Sequence, residues 1–387
     1  ENWRDHAVYF SGTAATSNAK DILITSNVFV HDSSTENGCI KFRNNVVNWT
    51  VSNNVVDLLC STPFVQDDRS GTAGLGDELN YTNKRGIVTG NSGECVYFYG
   101  TLSVTPLADL ATFATTTLSN NTVKCTFFAY LGDNTYPGLG SLEIIGNNVD
   151  GVLVRIVNVL NTISAVQYSN RLVMKNNGHT GRAISAISNL PRTVVYQGND
   201  HTGTTAPFYF QNADTETDTK TFDIVDNRST VSSSSFFVSH STLAPNTTLR
   251  IRRNRISGFT WIIDDLANGP LTVEIEGNET TGGGVTTTNS QEFSGGPGRV
   301  KLAFNKFGGR MLVENSASKS SCMMTRYNLF IHDNEAPVAN AIQTSGTPIT
   351  SYAGSNRLYH DRNWGVGMTV SNGYGAGVKA ALPEVAL

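Results

Sequence analysis

The chain of 387 residues carries 28 Lys and Arg against 32 Asp and Glu, a net charge of −4, with only 16% of its residues charged. That balance leaves no basic footprint for nucleic acid, and no apolar run approaches the roughly 20 residues that carry a helix across a bilayer, so membrane insertion is not expected. A globular chain of this length would ordinarily split into two or three domains, whereas an array of stacked repeats grows by adding units and stays one domain.

The chain opens on ENWRDHAVYF, with neither Met nor signal peptide, and Asn2 stands in step with the Asn that follows at Asn27. It is therefore expected to enter partway through a repeat, with a native N-terminal region preceding Glu1. From there Asn recurs two residues after a short alternating apolar stretch: Asn27, Asn54, Asn91, Asn121, Asn147, Asn176, Asn199, Asn227, Asn254, Asn278, Asn305, Asn328 and Asn356. The ladder covers 329 residues in 12 intervals, about 27 residues each, a solenoid period. Apolar residues usually fall five and three positions before the Asn, the period-2 signature of a strand. A second strand follows in most repeats, as in IKFRN to Asn44, VRIVN to Asn158 and FYFQN to Asn212. Helical periodicity is almost absent. The expected fold is all-β, a right-handed single-stranded parallel β-helix of about 13 coils over 1–372, with residues 373–387 as a C-terminal cap or inter-protomer segment.

Asn suits the corner because it tolerates the left-handed backbone and because its amide can bond the same amide one coil away. The residue before it is often Gly or Ser, which suits a sharp turn. The 37-residue step from Asn54 to Asn91 is read as a surface loop inserted at 61–86. Five cysteines, at Cys39, Cys60, Cys95, Cys125 and Cys322, lack any metal spacing, and the first four fall one per coil. They read as small apolar thiols stacked in the core. No cofactor or metal is implied.

Positions four before the Asn give Asp223, Arg250, Glu274 and Lys301 in successive coils, and two before it Arg252 is followed by Glu276. Equivalent residues of neighbouring coils stack about 4.8 Å apart, so the charges alternate up one face. The plain reading is a self-neutralised surface rather than a catalytic groove.

The Asn ladder with its paired strands resembles the right-handed parallel β-helices of the pectate-lyase-like superfamily, and among them the shaft of a bacteriophage tailspike. The resemblance runs over residues 2 to 372 and rests on the repeat, not on catalytic motifs. It implies a homotrimer in the virion tail, extracellular after release, joined to the phage tail or baseplate through the missing N-terminal region. The implied substrate is a bacterial surface polysaccharide, capsule or O-antigen, recognised and depolymerised by hydrolysis or elimination. The polygalacturonase elements are not reconstructed here: Asp-Asp occurs at 67–68 and 264–265, but Asn-Thr-Asp and Arg-Ile-Lys are missing. A non-catalytic receptor-binding spike and a structural fibre or adhesin are the alternatives.

If the chain cleaves glycans, the second strands supply the candidates. FFVSH ends at His240, WIIDD at Asp264 and Asp265, and MLVEN brings Glu314. Carboxyls one or two coils apart span roughly 5–10 Å, the range of retaining and inverting glycosidases. One of Asp264 or Asp265 would be the acid or base, Glu314 its partner, His240 an auxiliary proton-transfer group, and Trp261 a stacking surface for a sugar ring. Asp67, Asp68 and Tyr81 of the insertion would form the lip of a substrate groove. Against this stands the plainer reading, in which the two aspartates cap a corner, His240 replaces an Asn and the insertion is a solvated loop.

Overall fold

The computed structural model describes residues 6–12, 19–31, 39–44, 46–68, 84–102, 114–132, 141–157, 171–186, 191–210, 220–230, 237–239, 247–257, 261–263, 272–281, 285–287, 298–308, 311–313, 327–336, 358–362, 364–365 and 378–379. The chain divides into two units, residues 1–195 and 196–387. Each is a parallel β-solenoid of the right-handed type, and no helix occurs among the described residues.

In the first unit one sheet stacks Ala19–Thr25, Val46–Ser52, Lys84–Thr89, Ala114–Ser119, Ser141–Ile145 and Arg171–Lys175. In the second, the same position is held by Thr221–Val225, Thr248–Arg252, Thr272–Glu276, Gly298–Ala303, Tyr327–His332 and Leu358–Asp361. Pairing is parallel and in register, as in Leu249 to Val273 and Ile251 to Ile275. Burial alternates along these strands, so Phe222 and Ile224, Leu249 and Ile251, and Val273 and Ile275 form continuous inward columns. These are the positions five and three before the Asn. The short strand Val378–Lys379 pairs with Leu358 and Tyr359, so part of the expected cap extends this sheet.

At most interior rungs the ladder fills the bonding capacity of the side-chain amide. Asn147 shows the pattern: its Oδ1 accepts from both the backbone N–H and the Nδ2 of Asn121, at 3.0 and 2.9 Å. Its Nδ2 donates to Asn177 Oδ1 and to the carbonyl of Leu118, both at 2.9 Å. Two acceptor sites and two donors are thus filled, the full capacity of a side-chain amide. The same bonds recur at Asn254, Asn278 and Asn305 in the second unit. Six rungs are described in each unit: Asn27, Asn54, Asn91, Asn121, Asn147 and Asn177, then Asn199, Asn227, Asn254, Asn278, Asn305 and Asn334.

Two described rungs differ from the spacing expected, and the expected rung at Asn356 lies outside the described residues. Asn177 replaces Asn176, and Asn334 replaces Asn328, which lies inside a strand and pairs with Arg299. Asn176 instead has φ 54°. The corner therefore divides two tasks that the sequence suggests one Asn performs. The left-handed turn belongs to the residue before the rung, filled by Ser26, Asn53, Gly90, Asn120, Gly146, Asn176, Gly198, Asp226, Arg253, Gly277, Phe304 and Asp333. The rung itself turns inward to bond. Only Gly takes that backbone without cost, so Phe304, 60% exposed with φ 58°, bears about 1 kcal/mol of strain.

In the second unit a third short strand follows the rung, such as Arg228–Ser229 or Arg255–Ile256, and the expected second strand comes after it, as in Phe237–Ser239 and Trp261–Ile263, so three segments per coil replace the two expected. In the first unit most rungs are followed by one long strand, such as Ser92–Leu102 or Thr122–Gly132. Inside the first unit, Phe29, Phe64, Phe98 and Phe128 form a column with successive ring centroids 5.5, 5.6 and 4.8 Å apart. Cys39, Cys95 and Cys125 are buried thiols, with Cys95 and Cys125 in register on adjacent strands, as the stacked-thiol reading expects.

Candidate functional site

The charged column of the second unit pairs completely. Arg250 stands between Asp223 at 3.4 Å and Glu274 at 3.3 Å, Arg252 bonds Glu274 and lies 3.5 Å from Glu276, and Lys301 bonds Glu276. Each carboxylate meets a cation on the neighbouring strand, because opposite signs fall at equivalent positions of successive coils. This face is self-neutralised, and such exposed pairs contribute little individually.

A different chemistry occupies the flank of the first unit. The strands Ser92–Leu102, Thr122–Gly132 and Asn148–Val157 lie side by side, with Ile184–Ala186 beyond the last. Their register aligns Tyr97 with Phe127 and Val152, and Gly100 with Tyr130 and Arg155, which continues to Ser185. A bulge interrupts the alternation: between Lys124 and Phe127 one extra residue opposes the single step at Gly151. Gly151, at φ 151°, allows this, since a Cβ there would lie 1.7 Å from the carbonyl oxygen of Cys125. After the bulge Phe128 turns into the core while Phe127 and Tyr130 stay half-buried at the surface.

The result is an aromatic platform. Tyr97 and Phe127 stack with centroids 5.6 Å apart and planes inclined by 22°. Tyr130 meets Tyr97 edge-on at 5.2 Å and Phe127 at 6.1 Å. The Arg155 guanidinium lies 5.8 Å from the Phe127 centroid, and its Nη1 donates to Ser185 Oγ at 2.6 Å. Beside the platform runs a polar column. Lys124 bonds Glu94 at 2.8 Å, a contact that raises the lysine pKa, and Thr180 donates to Asp150 at 2.7 Å. Side by side these columns offer flat apolar rings, a guanidinium, hydroxyls and carboxylates on a rigid sheet, which suits a ligand that is apolar on its faces and polar at its rim.

The site residues expected from sequence are placed unevenly. Asp67 is 4% exposed and accepts a bond from Tyr99 Oη at 3.2 Å, so it is an interior residue and not the lip of a groove. It lies on the long strand Val55–Asp68, and Lys84–Thr89 resumes the sheet, so both ends of the segment 61–86 are strand. Asp68 ends the first of these strands, with its side chain outside the described residues, and Tyr81 is also outside them. Trp261 lies on its strand and pairs with Val285, while its side chain is outside the described residues, as are His240, Asp264, Asp265 and Glu314. Among the described residues, no three His, Cys, Asp or Glu side chains converge as a metal site.

The platform itself escapes reasoning from motifs. Its sequence signal is the repetition CVYFY and CTFFAY, aromatic clusters at Cys95 and Cys125, 30 residues apart and hence one coil apart. Simple alternation assigns the wrong members of each cluster to the surface, because the bulge changes the phase. No family model, curated protein or solved structure significantly matches the chain.

Proposed function

We propose that this protein binds bacterial surface polysaccharide along its solenoid, in the manner of a phage tailspike. The observation that carries the reading is the platform of Tyr97, Phe127 and Tyr130, bordered by Arg155, Ser185 and the Glu94 and Lys124 pair. Sugar rings present C–H faces that pack on aromatic rings while their hydroxyls need donors and acceptors at the edge. The rings of Tyr97 and Phe127 on adjacent strands form a surface elongated across the sheet, which favours an extended chain of sugars over a compact metabolite. The spike would act as a homotrimer on the virion.

Cleavage of the bound glycan is the second part of the proposal, assigned to Asp264 or Asp265 with Glu314 and His240, and Trp261 as a stacking residue. Carboxyls on nearby coils have the spacing that hydrolysis of a glycosidic bond requires.

The test is incubation of the purified chain with a panel of bacterial capsular and O-antigen polysaccharides, following binding, reducing ends and ultraviolet absorbance together. Binding with new reducing ends is the expected result, and absorbance from unsaturated uronates separates elimination from hydrolysis. Binding alone would leave a receptor-binding spike and remove the catalytic assignment. No binding to any glycan would remove the whole reading.

A further inference from the structure

We infer that the platform of the first unit selects an acidic glycan, with a sugar ring packed against Tyr97 and Phe127 and its carboxylate held by Arg155. The inference rests on the polysaccharide-binding reading and adds the charge class of the ligand and the residue that reads it.

The described contacts of Arg155 are the hydroxyl of Ser185 and the ring of Phe127, and no carboxylate pairs with it among the described residues. The lysine of this flank differs: Lys124 is bonded to Glu94. Along the charged column of the second unit, too, each Arg meets an acid. Arg155 thus stands beside the platform as a cation with no acid partner among the described residues.

It is also held in position. Ser185 fixes one nitrogen at 2.6 Å, and the ring of Phe127 supports the guanidinium. The remaining N–H groups keep the planar fork that grips a carboxylate in two parallel bonds. Residues 155 and 130 are register partners, and Tyr130 touches both Tyr97 and Phe127. The anion-binding group therefore borders the stacking surface. A uronic acid or a related acidic sugar presents its ring and its carboxylate in this relation.

The test uses the full chain and the same capsular and O-antigen panel, each acidic polysaccharide presented both native and after chemical reduction of its carboxyl groups to alcohols. Binding is measured by calorimetry. The expected result is that the glycans bound are acidic and that carboxyl reduction weakens binding about tenfold or more, the worth of one charge-assisted bidentate contact. Arg155→Gln should weaken the native glycan by a similar factor and leave the reduced glycan unchanged, whereas Tyr97→Ala should weaken both. Equal affinity for native and reduced glycans overturns the acidic-ligand inference and leaves polysaccharide binding intact. Absence of binding to every glycan removes the underlying reading, and the inference with it. A change of sedimenting mass on Arg155→Gln or Tyr97→Ala without glycan would make the platform a contact between copies of the chain, which also overturns it. The reduced-glycan comparison is made on the unaltered protein, so it stands even if a variant folds poorly.

Discussion

At the scale of single residues, the ladder amide does work that no other side chain can repeat. Removing the Asn147 side chain strips the acceptor from two donors of Asn121, the donor from the Leu118 carbonyl and one donor from Asn177, all of them buried. Each stranded buried group costs on the order of 1–3 kcal/mol. Asn147→Ala is therefore expected to destabilise its unit by about 3 kcal/mol or more, read as a fall in the urea midpoint. Asn147→Asp keeps the shape and the acceptor but loses both donors and places a carboxylate against the Leu118 carbonyl. It should be worse still at neutral pH and recover partly on acidification, as the buried acid takes up a proton. Asn27, exposed at the first described rung, is the control: Asn27→Ala should cost less than about 1 kcal/mol. The spacing of Asn in the sequence makes this ladder legible, and its two misplaced rungs have a local cause. At 176–177 and in the 327–334 stretch, more than one Asn satisfies the spacing, and only the left-handed turn decides which of them faces inward.

At the scale of elements, each strand contributes the same positions to the same columns, so substitutions act on neighbouring coils rather than on their own strand. The turn column illustrates this. Asp226 accepts two bonds from Arg253, at 2.7 and 2.9 Å, and Asp333 two from Arg362, at 2.6 and 3.0 Å. The Arg362 hydrogen bonds draw the Asp333 carboxyl down to about 2, helped by His332, and those of Arg253 lower Asp226 in the same direction. A carboxyl whose folded value lies below its ordinary 3.8 contributes stability above that value and loses it as pH falls through the folded value. The urea midpoint of the second unit should therefore decline between about pH 4 and pH 2. Arg362→Gln should remove the share of that decline due to Asp333 while lowering stability at pH 7 only slightly, as befits an exposed partner. An equal pH dependence in wild type and variant would show that the pair is not linked to folding. The aromatic platform belongs to this scale as well. A bulge on one strand sets the exposure of rings on it, and single-strand alternation carries no record of that bulge.

At the scale of the molecule, each unit has a core that is a set of parallel columns, so burial depends on stacking and not on any one segment. The thiols provide a readout. Cys39, Cys95 and Cys125 are 0%, 5% and 6% exposed. Their thiolates are the reactive species, and burial keeps reagent from them. A thiol reagent followed by peptide mass mapping is expected to leave these three unlabelled in buffer and to modify them in denaturant. Labelling that proceeds with the rate of local opening at one site, before the loss of circular dichroism, would show that the first unit does not unfold as a single stack. The function proposed here uses the same property, since a rigid sheet holds its rings and its guanidinium at fixed spacing without a ligand.

The sequence by itself determined the solenoid. A period near 27 residues, apolar residues five and three before most of the Asn, and turn residues at the corner are local signals, and most coils repeat them. It also determined the neutral face, because alternating charges at equivalent positions of successive coils need only the stacking rule to become pairs. Tertiary structure alone decided the inward turn of Asp67 toward Tyr99, the transfer of the left-handed turn to the residue before the rung, and the platform of Tyr97, Phe127 and Tyr130. Each of these depends on the register between coils 24 to 37 residues apart, and register is a property of two strands at once.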